Sequence, residues 1–283
     1  MYIEAAEAAL LAYEKRELIR GTLAKIGYLL RNGRLRVAIL GPGGTGKSTL
    51  AEVLGEPIQA ETPPVGAYSV SAITEEAKIT GVPFGLLKVG PGQERRRAAH
   101  WPEILREISD GTIDGIIFLA AAGYPALEGS SYTQHETYRA GLSAQEWLPL
   151  FRDWALKEEL AALDELKPAI LNRTGKQIWM LTLVNKQDLW WDDRASVREW
   201  YQGITANGTQ VNSEYTSRLD EIFKRRGNMG FEHDFASTSL EIVNLATKED
   251  GVIKPTVTGY DEVLRTTNLK AVHDLVKKLC RIP

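Results

Sequence analysis

Eight consecutive residues, Gly41-Pro42-Gly43-Gly44-Thr45-Gly46-Lys47-Ser48, carry the clearest chemistry in the sequence. Their spacing is G-x-x-x-x-G-K-[ST], the pattern of a loop that turns its backbone N–H groups inward onto phosphate oxygens. Glycines permit that wrapping, and a helix beginning at the end of the loop adds the positive end of its dipole. Lys47 neutralises the outer phosphates, and the Ser48 hydroxyl suits Mg²⁺, which takes oxygen ligands in near-octahedral geometry. Gly41, Gly43, Gly44, Thr45, Gly46, Lys47, Ser48 and Thr49 are therefore the candidate phosphate-binding residues, with Ser48 a candidate metal ligand.

Such a loop needs a strand before it and a helix after it. Leu35–Leu40 reads as that strand, and the segment from Lys47 to Leu54 as that helix. Further strands are expected over Phe84–Val89, Gly115–Ala121, Ile178–Val184 and Phe235–Ser237, separated by helical periodicity in Ala144–Leu171 and Tyr260–Leu279. This alternation predicts an α/β fold, a three-layer arrangement with a mostly parallel central sheet covered on both faces. Residues 1–33 read as an added N-terminal helix closed by Asn32-Gly33, which leaves 34–283 as one domain. Two polar stretches, near 123–143 and 192–234, read as insertions, the second holding a helix over Ser213–Arg226. The first leaves the carboxyl end of a predicted parallel strand, where open α/β sheets bind ligands.

A second polar string, Asn185-Lys186-Gln187-Asp188-Leu189, follows the predicted strand Ile178–Val184. Together with the phosphate loop it resembles the Ras-superfamily GTPases, most closely in wording their Arf and Arf-like branch. The resemblance implies a P-loop NTPase fold of the Ras-like G-domain type, with GTP or GDP and Mg²⁺ as ligands. It also implies that Asp188 accepts two hydrogen bonds from the guanine ring N–H and exocyclic amine, that Lys186 lies along the base, and that Asn185 ties this loop to the phosphate loop. The residue choice is chemically apt, because a carboxylate only accepts, and so rewards guanine's two donors and mismatches adenine's N1 acceptor. Thr238 and Ser239 are the expected third base-contacting element, with Ser237 in an adjacent register. The alternative for these residues is a helix N-cap.

The same resemblance locates the hydrolytic parts. Val89-Gly90-Pro91-Gly92-Gln93-Glu94 corresponds to the second switch, with Gly92 meeting the γ-phosphate and Gln93 orienting the attacking water. Gly43 stands where small size leaves that glutamine room. Val89 departs from the family, which has an aspartate there to hold the metal's water shell. Glu61-Thr62-Pro63-Pro64-Val65-Gly66 corresponds to the first switch, but Pro64 occupies the threonine position, so Thr62 is the remaining metal candidate and a rigid connector is the alternative. Arg95-Arg96-Arg97 reads as a solvated or partner-facing patch, with a phosphate-contacting role as the alternative. Arg139, beside His135 in the first insertion, is a candidate arginine finger supplied in cis, against a plain surface residue.

Composition bounds the rest. With 283 residues, 43% hydrophobic, 25% charged and a net charge of −3, the chain can bury a core and lacks the basic footprint of a nucleic-acid binder. One cysteine, Cys280, precludes an internal disulfide and a Cys-based zinc site, pointing to a reducing compartment and so the cytoplasm. No transmembrane segment is expected, since the longest apolar run, from Ile116 to Ala122, is strand-sized. Cys280-Arg281-Ile282-Pro283 matches a prenylation box poorly, so Cys280 reads as a terminal-helix residue. Protein partners are expected through the switch regions, the N-terminal helix or the insertions, while Trp147, Phe151 and Trp154 form either a docking face or core. Three functions fit this pattern: a GTP-hydrolysing switch, a nucleotide-binding scaffold with little hydrolysis, and a P-loop ATPase or kinase, the last lacking a visible Walker-B run.

Overall fold

The computed structural model describes residues 35–55, 75–79, 85–175 and 177–280. The N-terminal extension 1–33, the first-switch residues Thr62 and Pro64, and Arg281 to Pro283 lie outside the described residues. Six strands form one sheet in the order β2-β3-β1-β4-β5-β6: β1 (Arg36–Leu40), β2 (Glu75–Lys78), β3 (Leu86–Val89), β4 (Gly115–Ala120), β5 (Ile178–Val184) and β6 (Phe231–Ser237). All neighbours pair in parallel except β2, which runs antiparallel to β3 at one edge.

Parallel strands buried on both faces read as continuous apolar runs, and β4 and β5 are buried along their whole length. Alternation then divides their side chains between two cores. Ala38, Leu40, Ile116, Phe118 and Met180 face helices α2 (Glu94–Ser109) and α3 (Ala144–Leu171). Val37, Ile39, Ile117, Leu119 and Leu181 face the helix after the phosphate loop, α1 (Lys47–Gly55), and the last helix (Glu262–Leu279). This is a three-layer α/β architecture with a mostly parallel central sheet covered on both faces.

Local signals set the helix starts. Ser143 and Glu146 close a reciprocal capping box at the start of α3, and Ser213 with Thr216 does the same for Glu214–Arg226. Between β5 and β6 the chain forms α4 (Gln187–Trp190), α5 (Arg194–Gln202) and α6 (Glu214–Arg226), so the predicted second insertion is largely helical. Strand β6 begins at Phe231, inside the 192–234 boundary expected for that insertion, because parallel pairing with β5 from Ile178 to Leu181 extends it upstream of Phe235. No helix starts at Thr238 or Ser239, and the N-cap alternative fails there; Asp261 caps the last helix, α7 (Glu262–Leu279).

The stretch from Glu241 to Tyr260 is an excursion that periodicity did not reveal. It contains a short antiparallel hairpin, β7 (Leu245–Thr247) and β8 (Gly251–Lys254). Leu245 and Ile253 bury against the α2/α3 core. The hairpin also grips the 123–143 insertion, through Glu249 N–H to Ser130 O at 2.9 Å and Tyr132 N–H to the Asp250 carboxylate at 2.9 Å. Among the described residues no helix is long and apolar enough to cross a membrane.

Candidate functional site

Strand β1 delivers the Gly41–Ser48 loop to the carboxyl end of the sheet, and α1 begins at Lys47. Close approach explains the glycines. Gly41 (φ +141°) lies against β4, where a Cβ would stand 2.1 Å from the Leu119 carbonyl oxygen, and Gly46 (φ +94°) lies against Asn185, 2.7 Å from its Nδ2. Within the loop the Thr45 hydroxyl donates to Pro42 O at 3.1 Å and Lys47 Nζ to the same oxygen at 2.6 Å. Leu50 N–H bonds Gly46 O at 2.9 Å, so the helical ladder starts inside the loop and leaves the preceding N–H groups for an anion. Ser48 and Thr49 sit half-buried in the first turn.

Asn185 meets the loop, the contact that the resemblance implies. Asn185 Nδ2 donates to Thr45 O at 2.8 Å and its Oδ1 accepts from Leu240 N–H at 2.9 Å, joining three segments through one buried amide. Lys186 adopts a left-handed conformation (φ +62°), uncommon outside glycine, and burial draws its ammonium pKa down. Asp188 is fully buried: one carboxylate oxygen accepts from the Ser239 hydroxyl and the other from Val243 N–H at 3.1 Å. Desolvation raises its pKa, opposed by those bonds and by Lys186. Ser239 N–H donates to the Tyr260 hydroxyl at 3.0 Å, and Thr238 N–H to Val184 O at 3.0 Å. Asp188 and Ser239 are thus both engaged by the 241–260 excursion, a contact with no sequence signal.

At the opposite end of the loop, Gly92 presses on Lys47. A Cβ there would lie 2.2 Å from Lys47 Nζ and 2.4 Å from Pro42 O. Gln93 is the N-cap of α2 and crosses Gly43, whose own Cβ would only touch it at 3.5 Å. The Gln93 amide nitrogen donates to the Glu128 carboxylate of the first insertion. Behind this loop, Trp101 Nε1 bonds Pro91 O at 2.8 Å and Arg97 Nη1 bonds Gly92 O at 3.0 Å. Arg97 is 1% exposed and pairs with Glu158 at 3.3 Å and Glu165 at 3.1 Å on α3. The solvated-patch reading therefore fails for Arg97 and holds for the exposed Arg95. Val89 is fully buried among apolar neighbours and offers no oxygen.

The first insertion lies over this end of the site. Ala126 N–H bonds Gly44 O at 2.8 Å, and Pro125, Ala126, Glu128 and His135 line a cavity of about 430 Å³ with Pro42, Gly43, Gly92 and Gln93. Trp147 and Phe151 are buried, with His135 set edge-on to both rings and to Trp154, so these aromatics are core and cavity wall. Arg139 is exposed and does not line the cavity. Glu159, fully buried at its inner end, accepts Ala121 N–H at 2.9 Å and the Tyr201 hydroxyl, and burial lifts its pKa to about 7. Cys280 is buried at the end of α7, and desolvation pushes its thiol up to about 12. Among the described residues no group of three or more His, Cys, Asp or Glu could hold a metal ion, and Ser48 is the one candidate ligand described.

No family model matches the chain. No curated protein matches it either. Among solved structures, the signal recognition particle receptor SRb in its GTP/SRX complex from Chaetomium thermophilum is 17% identical, with 74% of this chain and 91% of that chain covered and a TM-score of 0.44. The NFeoB structure from S. thermophilus bound to GDP and aluminium fluoride is 12% identical, covering 88% and 64%, with a TM-score of 0.38. The small GTPase Arl6 from Trypanosoma brucei is 13% identical, covering 88% and 99%, with a TM-score of 0.36.

Proposed function

We propose that the chain binds guanine nucleotide, with phosphates on Gly41–Ser48 and base at Asn185–Asp188, and hydrolyses GTP to GDP and phosphate. The observation that carries this reading is the buried Asn185 amide, which fastens the phosphate loop at Thr45 and the third base segment at Leu240. It sets the phosphate and base sites in one frame. In that frame the loop's N–H groups and Lys47 hold the β- and γ-phosphates, while Asp188 takes the two guanine donors on its remaining lone pairs. Ser48 would hold Mg²⁺ together with phosphate oxygens, the cation neutralising charge that develops on the leaving group. Gly92, resting on Lys47, meets the γ-phosphate, and Gln93 orients water for in-line attack.

A scaffold that retains nucleotide without hydrolysing it is the second reading, favoured by Val89 and by the clamping of Pro91 and Gly92 from behind. Single-turnover hydrolysis of GTP labelled at the γ-phosphate, with Mg²⁺, distinguishes the two. Phosphate released from the bound nucleotide, and lost in Gln93→Ala, supports the GTPase. GTP recovered intact after hours of binding makes the chain a scaffold.

A further inference from the structure

We infer that Glu128, supplied by the 123–143 insertion, is a positioning residue for hydrolysis that acts through Gln93. This deepens the GTPase reading and rests on it. A glutamine amide has an acceptor end and a donor end, and only the acceptor end can accept a hydrogen bond from the attacking water. An unanchored amide samples both orientations. Here Nε2 donates to the Glu128 carboxylate, which has no proton to donate back, so the pairing fixes the amide with Oε1 directed away from Glu128. Gln93 Cγ stands 3.5 Å, and Glu128 Oε1 3.7 Å, from the position of a Cβ on Gly43, which puts the pair at the γ-phosphate end of the loop.

Glu128 is held from both sides although it is itself exposed. Two residues earlier, Ala126 N–H is bonded to Gly44 O; two residues later, Ser130 N–H bonds the Gln134 side chain at 3.2 Å and Ser130 O takes Glu249 N–H from the hairpin. A carboxylate carried on so anchored a loop is preorganised relative to the phosphate loop. In the step it serves, the water oxygen bonds to Pγ as the bond from Pγ to the β–γ bridging oxygen breaks, that oxygen keeps the electron pair on GDP, and the water proton leaves with phosphate. Glu128 touches neither water nor phosphate. It sets the amide that touches the water, so the insertion contributes a carboxylate, while Arg139, the arginine-finger candidate, stands on the surface as its alternative had it.

The test is a double-mutant cycle in the full chain, read by single-turnover GTP hydrolysis with GDP affinity measured alongside. Glu128→Ala is expected to slow the chemical step about 10- to 100-fold while GDP affinity stays within about twofold. Glu128→Gln, whose amide can donate to Oε1 as readily as it accepts from Nε2, should recover only a small part of the rate, and Glu128→Ala combined with Gln93→Ala should be no slower than Gln93→Ala alone. A wild-type rate in Glu128→Ala, or losses that multiply in the double variant, overturns the inference. GTP bound but left intact by the wild type overturns it while sparing nucleotide binding; failure to bind GTP at all overturns both.

Discussion

Gly92 lacks room for any side chain, since a Cβ would strike Lys47 Nζ and the Pro42 carbonyl oxygen. Gly92→Ala should therefore push the second-switch loop off the phosphate loop, lowering single-turnover hydrolysis at least about 10-fold with GDP affinity preserved; stopped-flow phosphate release reads this directly. Asp188→Asn tests the other end. An amide presents a donor toward guanine's donors, so GDP affinity should fall roughly 100-fold in equilibrium titration, whereas ADP affinity should not fall. Lys47, Asn185 and Asp188 stood out in the sequence because their chemistry sits in contiguous strings, and the Asn185 contact to Thr45 O is the link between those strings that the structure shows. Glu128, Val243 and Tyr260 did not: each reaches its partner across 35, 55 and 21 positions, and nothing local marks such a pairing.

Elements with their own local signals were read from sequence nearly residue for residue. Ala144–Leu171 has a capping box and seven turns of periodicity, and Ile178–Val184 is an uninterrupted apolar run. Strand β2 reads Glu-Glu-Ala-Lys, poor strand formers that pair only because β3 presents an edge. The hairpin strands, three and four residues long, are too short for any period to register. Arg97 was read as solvated because two arginines precede it, but its counter-charges lie 61 and 68 positions away on α3. Lysine cannot reproduce its forked contacts to Gly92 O, Glu158 and Glu165. Arg97→Lys should cost about 1–3 kcal/mol in urea unfolding and speed amide exchange around the Gly92 loop. Glu159 gives α3 a pH signature. Burial holds its carboxyl at about 7, well above the usual carboxylate range, so its contribution to stability is greatest in acid and is lost as pH rises toward 7. The unfolding free energy of Glu159→Gln relative to wild type should accordingly rise between pH 5 and pH 8, by an amount on the order of 2 kcal/mol, as denaturant titrations at each pH will read.

The sheet brings three loops, after β1, β3 and β5, to one edge, and two excursions then lie across that edge. One, 123–143, sits on the Gly41–Ser48 loop; the other, 241–260, engages Asp188 and Ser239; and the hairpin ties them together at Ser130 and Tyr132. The site is thus roofed by two segments whose pairing no sequence period announces, on a core whose alternation of strands and helices announces itself. Nucleotide choice is where the whole arrangement is most directly exposed to measurement: competition of GTP, GDP, ATP and ADP for the purified chain, followed by calorimetry with Mg²⁺. Guanine nucleotides binding at least about 100-fold more tightly than their adenine counterparts is the predicted result. Equal or preferential binding of ATP would contradict it.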